Sequence, residues 1–246
     1  MDRFPPAARW AALLAATIAM APPAHAASIH DSFSDGAGII QTDTAPYVEA
    51  YFASAEAPGG GRYIANEVGA GIAQPGKFTF GAIQAGAYFT LADAAYPLYT
   101  NLSYGIAHGF GQDLSLNLLS EGAFVLDFRY ISGPISLTAT VYTSNGPGQA
   151  GSVADFALPV NASLGQTVVL PFASFINAGS NPVPVNWGDI DGITFIVSGP
   201  GGAGFALDSF STQPVPEPAS VAMLLGGLGL IAGVKALLVL AGGLFP

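Results

Sequence analysis

The chain of 246 residues contains no cysteine. Disulfides, thiolate nucleophiles and cysteine-ligated zinc are therefore excluded together. Charge is also scarce, because only 9% of the residues are charged, against roughly 25% in an ordinary soluble domain. Arg62, Lys77 and Arg129 are the only Lys or Arg residues between positions 27 and 213. No basic stripe can neutralise phosphates, so the composition argues against nucleic acid as a partner.

Glycine and proline are abundant, with 32 and 19 copies, while 51% of the residues are apolar. This combination is typical of a turn-rich domain that buries a core, and it lacks the low hydrophobicity of disordered chains. We expect one domain, since all-β sandwiches often reach about 200 residues as a single unit.

The first 26 residues have the order of features that defines a signal peptide. Two arginines precede an apolar run over residues 10–20, and the small residues Ala24 and Ala26 follow. Signal peptidase recognises this order, which predicts an N-terminal signal helix and cleavage after Ala26. A retained anchor is the alternative, but the apolar run is too short to cross about 30 Å of hydrocarbon.

The C-terminal end carries a second processing pattern. Residues 215–220 read Val-Pro-Glu-Pro-Ala-Ser, and an apolar stretch follows from 221 to 234. The pattern resembles the PEP-CTERM sorting signal, with Pro216, Glu217 and Pro218 as the recognition motif. The prolines keep this segment extended and free of backbone hydrogen bonds, as a protease cleft requires.

The resemblance implies a sorting tail over residues 214–246 that contains a transmembrane helix. It also implies an exosortase-type membrane protease as partner, in a Gram-negative bacterium that makes an exopolysaccharide matrix. The protein would be anchored in the inner membrane in transit and then reach the cell surface or the matrix.

The tail departs from the family pattern at its end. Family tails finish in several arginines, whereas Lys235 stands alone here and apolar residues continue after it. A helix that ended at Lys235 would be short for the bilayer, and a longer helix would enclose a lysine at a cost of about 2.5–3.5 kcal/mol. The lysine would then have to snorkel to the interface, unless the basic end has been lost. A plain linker before an ordinary anchor is the alternative interpretation.

Between these ends, over residues 27–213, apolar residues alternate with period two from Phe78 onward, which predicts half-buried strands. The clearest runs are 114–118, 124–130 and 135–141, and later strands are expected at 167–170, 193–197 and 205–210. In the second run, Tyr130 is expected on the core face and Arg129 on the solvent face. The turn residues at 132–134 predict an antiparallel hairpin between the second and third runs.

Residues 47–76 are less regular and predict long loops and edge strands. Strands separated by Gly/Pro-rich loops without intervening helices indicate an all-β fold, a single antiparallel β-sandwich of the jelly-roll type.

Segments at both ends of this region resemble galactose-binding-like jelly rolls. They are Asp-Ser-Phe-Ser-Asp-Gly at 31–36, the stretches 170–175 and 184–195, and Phe-Ala-Leu-Asp-Ser-Phe at 205–210. The resemblance implies one structural calcium ion, with Asp35 and Asp208 at the matching positions. The alternative is that both aspartates accept hydrogen bonds from backbone amides at strand ends.

No familiar catalytic motif occurs, since Gly-x-Ser-x-Gly, His-Glu-x-x-His and Gly-Lys-Ser are all absent. We therefore assign no catalytic residue and no cofactor other than the calcium ion. Candidates for stacking on sugar rings are Tyr96, Tyr99, Tyr104 and Trp187, with burial in the core as the alternative for each.

The sequence favours a non-enzymatic surface or matrix protein that contacts exopolysaccharide. The alternatives are a secreted carbohydrate-active enzyme on the same fold, which would need a cleft with two close carboxylates, and a purely structural matrix component without a ligand.

Overall fold

The computed structural model describes residues 28–42, 45–68, 77–107, 110–111, 114–144, 149–157, 165–178 and 185–215. The predicted signal helix lies outside these ranges, and so does the predicted sorting tail from residue 216 onward, including Pro216, Glu217 and Pro218. Within the ranges, no helix has the length and apolar character needed to cross a membrane.

The described residues form an antiparallel β-sandwich. Its strands are β1 His30–Asp31, β2 Gly38–Thr42, β3 Tyr47–Ala53, β4 Gly61–Glu67, β5 Thr79–Ile83, β6 Tyr88–Ala92, β7 Leu98–Tyr104, β8 Ile106–Ala107, β9 Phe110–Gly111, β10 Glu121–Ser132, β11 Ser136–Ser144, β12 Gln149–Ala157, β13 Gln166–Pro171, β14 Ile176–Ala178, β15 Gly192–Gly199 and β16 Gly204–Pro214. Two short 3-10 turns, Pro58–Gly60 and Phe172–Ser174, complete the elements.

Two seven-stranded sheets make up the sandwich. Sheet A has the order β13-β10-β16-β6-β5-β2, with β1 paired to one end of β16. Sheet B has the order β14-β12-β11-β15-β7-β4-β3. The predicted jelly-roll sandwich is thereby confirmed, and both sheets are antiparallel throughout.

The core lies between the sheets and follows the alternation that the sequence predicts. Phe124, Leu126 and Phe128 of β10 are buried, as are Leu137 and Val141 of β11. Burial of such apolar side chains is the main favourable contribution to folding, at roughly 25 cal/mol per Å².

The predicted hairpin between β10 and β11 is wrong. Strand β10 pairs with β13 and β16 in sheet A, whereas β11 pairs with β12 and β15 in sheet B. Gly133, with φ of +81°, turns the chain from one sheet to the other. The turn residues do not distinguish a hairpin from a crossover between sheets, because the chain reverses its direction in both.

Two further expectations need correction. The run 114–118 forms no strand, only an isolated bridge between Leu116 and Ile190. In the region expected to hold loops and edge strands, β3 is an edge, but β4 lies inside sheet B between β3 and β7. Strand β4 is buried from Gly61 to Asn66, and its buried side chains include Arg62, Tyr63 and Ile64.

A β-bulge region reverses the side-chain alternation of β10. Its pairing with β16 shifts between Asp127 and Phe128 and again between Phe128 and Tyr130. Each extra residue in a bulge moves the following side chains to the opposite face. Tyr130 is therefore 43% exposed and Ile131 fully buried, so the predicted core position of Tyr130 is wrong.

A buried ion pair joins the two sheets where the domain begins. Arg62 of β4 and Asp31 of β1 are both fully buried, and Arg62 Nε donates to Asp31 Oδ2 over 2.6 Å. A second bond joins Arg62 Nη2 to Asp31 Oδ1. Tyr104 of β7 donates its hydroxyl to the same carboxylate over 2.8 Å. Burial raises the pKa of Tyr104 well above its ordinary value, and the nearby Asp31 raises it further, so the hydroxyl stays protonated.

Candidate functional site

A groove of about 610 Å³ runs over the outer face of sheet A. We call it the sheet A groove. Residues of β5, β6, β10 and β16 line it, together with the turn residue Gln84. They are Phe80, Ala82, Gln84, Phe89, Thr90, Leu91, Arg129, Tyr130, Gly204, Phe205 and Ala206.

The strand register explains the shape of the groove. Ala206 of β16 pairs with Phe89 of β6 on one side and with Tyr130 of β10 on the other. Two residues along, Gly204 pairs with Leu91. The small residues of β16 therefore make a floor between larger side chains on its two neighbours. These neighbours stand about 10 Å apart, since each strand spacing is about 4.8 Å.

Glycine is required at one end of this floor. A Cβ atom on Gly204 would lie 2.6 Å from the carbonyl oxygen of Thr90 and 3.1 Å from a methyl group of Leu91. The absence of a side chain lets Leu91 lie against the floor, where it remains 48% exposed.

The bulges of β10 and β16 place a polar pair beside the aromatic wall. Arg129 of β10 and Asp208 of β16 lie on adjacent strands, at the positions where the register between these strands shifts. The Arg129 Nε atom is 2.8 Å from Asp208 Oδ1. The Arg129 guanidinium carbon also lies 6.0 Å from the ring centroid of Phe89, a distance at which a cation and an aromatic face attract.

This arrangement has the chemistry of a binding surface for an amphipathic ligand. Apolar walls with a few placed polar groups are typical of ligand sites. Glycoside hydrolysis needs two carboxylates about 5–10 Å apart, and the groove lining contains neither Asp nor Glu.

The structure does not gather the four predicted stacking residues into one site. Tyr96 and Tyr104 are 1% and 0% exposed, so neither ring has an open face for a sugar and burial contradicts both candidates. Tyr99 is 37% exposed and lies beside Glu67 and Pro97, outside the sheet A groove.

Trp187 belongs to an aromatic cluster near the point where β16 ends. Its ring is stacked on Phe172 at 3.9 Å between centroids and contacts Phe175 edge-on at 5.6 Å. It also borders a shallow groove with Leu119 and Val215. One ring face is thus covered by Phe172, and stacking of Trp187 on a sugar stays a prediction.

The residues present do not fit the predicted shared calcium site. Asp35 accepts hydrogen bonds from Ser54 and Ala55, each over 2.6 Å, and lies 3.2 Å from Arg62. These bonds, led by the one from Ser54, lower the pKa of Asp35. Asp208 is paired separately with Arg129. No group of three acidic or histidine side chains suited to a metal occurs in the described part of the chain.

The sequence patterns do not predict the groove, although β6 carries a signal for it. In β6, large apolar residues occupy both faces, since Tyr88 is fully buried while Phe89 and Leu91 face outward. When a strand is apolar on both faces, one face packs in the core, and the other indicates a surface that is covered or that binds a ligand. The alternation predicts a core position for Tyr130 because a bulge does not change the sequence pattern.

No protein-family model and no curated protein matches the chain. Among solved structures, it is similar to a family 11 carbohydrate-binding module from Clostridium thermocellum in complex with a beta-1,3-1,4-mixed-linked tetrasaccharide. That match has 13% identity, covers 79% of this chain and 100% of the module, and has a TM-score of 0.40. TmCBM61 in complex with beta-1,4-galactotriose matches at 15% identity over 70% of this chain and 91% of that chain, with a TM-score of 0.22. At these TM-scores the function has to be argued from the groove itself.

Proposed function

We propose that this chain is an exported, non-enzymatic surface or matrix protein that binds a polysaccharide along the sheet A groove. The observation that carries the proposal is the pairing of Phe89 and Tyr130 across the small residue Ala206, with the Arg129–Asp208 pair beside them. The export half of the proposal rests on the two ends of the sequence, with Ala24 and Ala26 at one end and the Pro-Glu-Pro motif at the other.

A sugar chain is the ligand whose chemistry matches these walls. Sugar rings expose apolar C–H faces, which aromatic and aliphatic side chains such as Tyr130 and Leu91 can cover. Ring edges carry hydroxyl groups that both donate and accept, and an arginine–carboxylate pair offers donors and acceptors side by side. The floor of Gly204 and Ala206 leaves the groove open along β16, as an extended chain requires.

The decisive experiment compares two tyrosines of similar exposure on opposite sheets. The full chain, purified in a mild detergent, is screened on a glycan array, and the dissociation constant of the best glycan is measured by calorimetry. Tyr130→Ala should weaken binding at least tenfold, which corresponds to about 1.4 kcal/mol, because it removes one wall of the groove.

The matched control is Tyr99→Ala, since Tyr99 of sheet B is 37% exposed against 43% for Tyr130. The control should retain the affinity of the parent protein. Equal losses in both variants would contradict the groove assignment. An array without any binding would contradict the polysaccharide proposal and favour a purely structural matrix component.

A further inference from the structure

The sheet A groove has one cation in its lining, Arg129, and that cation is neutralised within the protein. Arg129 Nε lies 2.8 Å from Asp208 Oδ1, and the two side chains are 48% and 38% exposed. The other lining residues are apolar or uncharged.

The bulges hold this pair in place. Asp127 pairs with Ser209 and Phe128 with Leu207, so Asp208 is the extra residue on β16. Arg129 is likewise the extra residue on β10, between the pairs of Phe128 and Tyr130. Bulges re-aim side chains, and here the 2.8 Å between Arg129 Nε and Asp208 Oδ1 places the two charges side by side, with Arg129 in the groove lining.

We propose that Asp208 determines specificity by cancelling the charge of Arg129, so that the groove selects uncharged glycans and rejects acidic ones. This inference rests on the proposed function. A uronate chain would bring carboxylates to a site where the guanidinium is already paired and Asp208 repels them. The formal net charge of the chain, −10, opposes acidic ligands as well.

The test is to remove the charge of Asp208 while keeping its shape. Asp208→Asn leaves Arg129 as an unpaired cation at the groove. Polygalacturonate binding, followed by affinity electrophoresis at low salt, should be below detection in the parent protein. It should appear in Asp208→Asn with an affinity at least tenfold above the detection limit. Because the new attraction is between charges, it should fall as NaCl is raised to 0.5 M, where the Debye length is shorter than about 8 Å.

Two variants identify the source of the effect. Adding Arg129→Ala to Asp208→Asn should abolish the gained binding, because it removes the cation. Asp189→Asn makes the same charge change at an exposed turn outside the groove lining, and it should gain nothing. Thermal unfolding of each variant reports whether the sandwich is intact.

The outcomes separate this inference from the proposed function. Parent protein that binds polygalacturonate as strongly as a neutral β-glucan or galactan overturns the inference alone. The inference alone is also overturned if Asp208→Asn keeps its binding to neutral glycans but gains no binding to polygalacturonate. If neither the parent protein nor Asp208→Asn binds any glycan, both the inference and the proposed function are overturned.

Discussion

Arg62 carries a charge into the interior, where a cation is stable only with its partners. Its guanidinium is bonded to Asp31, its Nη1 donates to the carbonyl oxygen of Asp35 over 2.8 Å, and its Cζ lies 4.9 Å from the ring centroid of Phe33. Breaking a buried ion pair by removing one partner leaves an uncompensated charge, at a cost of about 3–5 kcal/mol.

Arg62→Met should therefore lower the free energy of unfolding by about 3–5 kcal/mol, because Asp31 remains buried without its cation. Urea denaturation followed by tryptophan fluorescence measures the change. Arg129→Ala is the control, and it should cost no more than about 1 kcal/mol because Arg129 belongs to an exposed pair. A loss for Arg62→Met as small as that of the control would show that Asp31 finds another partner.

Residues of the Asp-Ser-Phe-Ser-Asp-Gly motif at 31–36 surround Arg62 and hold it by hydrogen bonds. Asp31 and Asp35 both contact Arg62, and Phe33 has a φ of +54°, which is rare for a bulky residue. The Asp31 side chain stabilises that conformation by accepting a hydrogen bond from the amide of Phe33 over 3.0 Å. The sequence marks the motif but not its partner, since Arg62 lies in a region without regular alternation.

At the scale of elements, the hairpin of β5 and β6 contains a residue poorly suited to its turn. Ala85 and Gly86 have φ of +53° and +71°, and Gln84 and Ala87 exchange backbone bonds of 3.0 and 3.2 Å across them. This two-residue turn favours glycine or asparagine at both central positions. An L-residue in the left-handed region costs roughly 1–2 kcal/mol.

Ala85→Gly should raise the free energy of unfolding by up to about 1 kcal/mol, because relief of the left-handed strain exceeds the added chain entropy. Chemical denaturation measures it. Ala94→Gly, at an exposed turn residue without a positive φ, should have no stabilising effect and measures the entropy cost of the substitution alone. Equal effects of the two substitutions would mean that the turn of β5 and β6 is unstrained.

Local patterns predict the strands well and their partners poorly. The apolar runs predict strands at the positions of β10, β11, β13, β15 and β16. Buried and more exposed side chains alternate along much of β10, whereas the first four residues of β15 are all buried. The runs do not reveal that β10 and β11 belong to different sheets, since the turn at 132–134 reverses the chain in either case. Alternation with period two does not reveal a bulge either, so it predicts the wrong face for Tyr130.

At the scale of the whole molecule, the groove is a product of topology. Its two walls come from β6 and β10 and its floor from β16, which are far apart in sequence but adjacent in sheet A. No motif spans these positions, so the sequence predicts sugar contacts only through aromatic residues, and burial removes Tyr96 and Tyr104 from that set. The resemblance of the 205–210 segment to jelly rolls points to β16, the strand that forms the groove floor. It gives no sign of the role proposed for Asp208.

The last residues of β16 and Val215 after it are bonded to the rest of the sandwich. Pro214 still pairs with Glu121, and the amide of Val215 donates to the carbonyl oxygen of Ser120 over 3.0 Å. Thr212 exchanges two bonds with Ile29, of 3.0 and 3.1 Å, so the two ends of the domain are joined. Backbone pairing of β16 with its neighbours thus continues past residue 213, at least as far as Val215.

A chain that ends after Val215 should therefore keep the thermal midpoint of the full-length protein, because every bond of β16 is retained. A chain that ends after Phe210 loses the bonds of Thr212 and Val215 and should be destabilised by roughly 2–4 kcal/mol, at about 1 kcal/mol per hydrogen bond. Calorimetry should show this as a lower midpoint, at about 2–4 °C per kcal/mol. Equal midpoints for the two truncations would mean that the final five residues contribute nothing to the sandwich, and that the tail begins to separate from the domain well before the sorting motif.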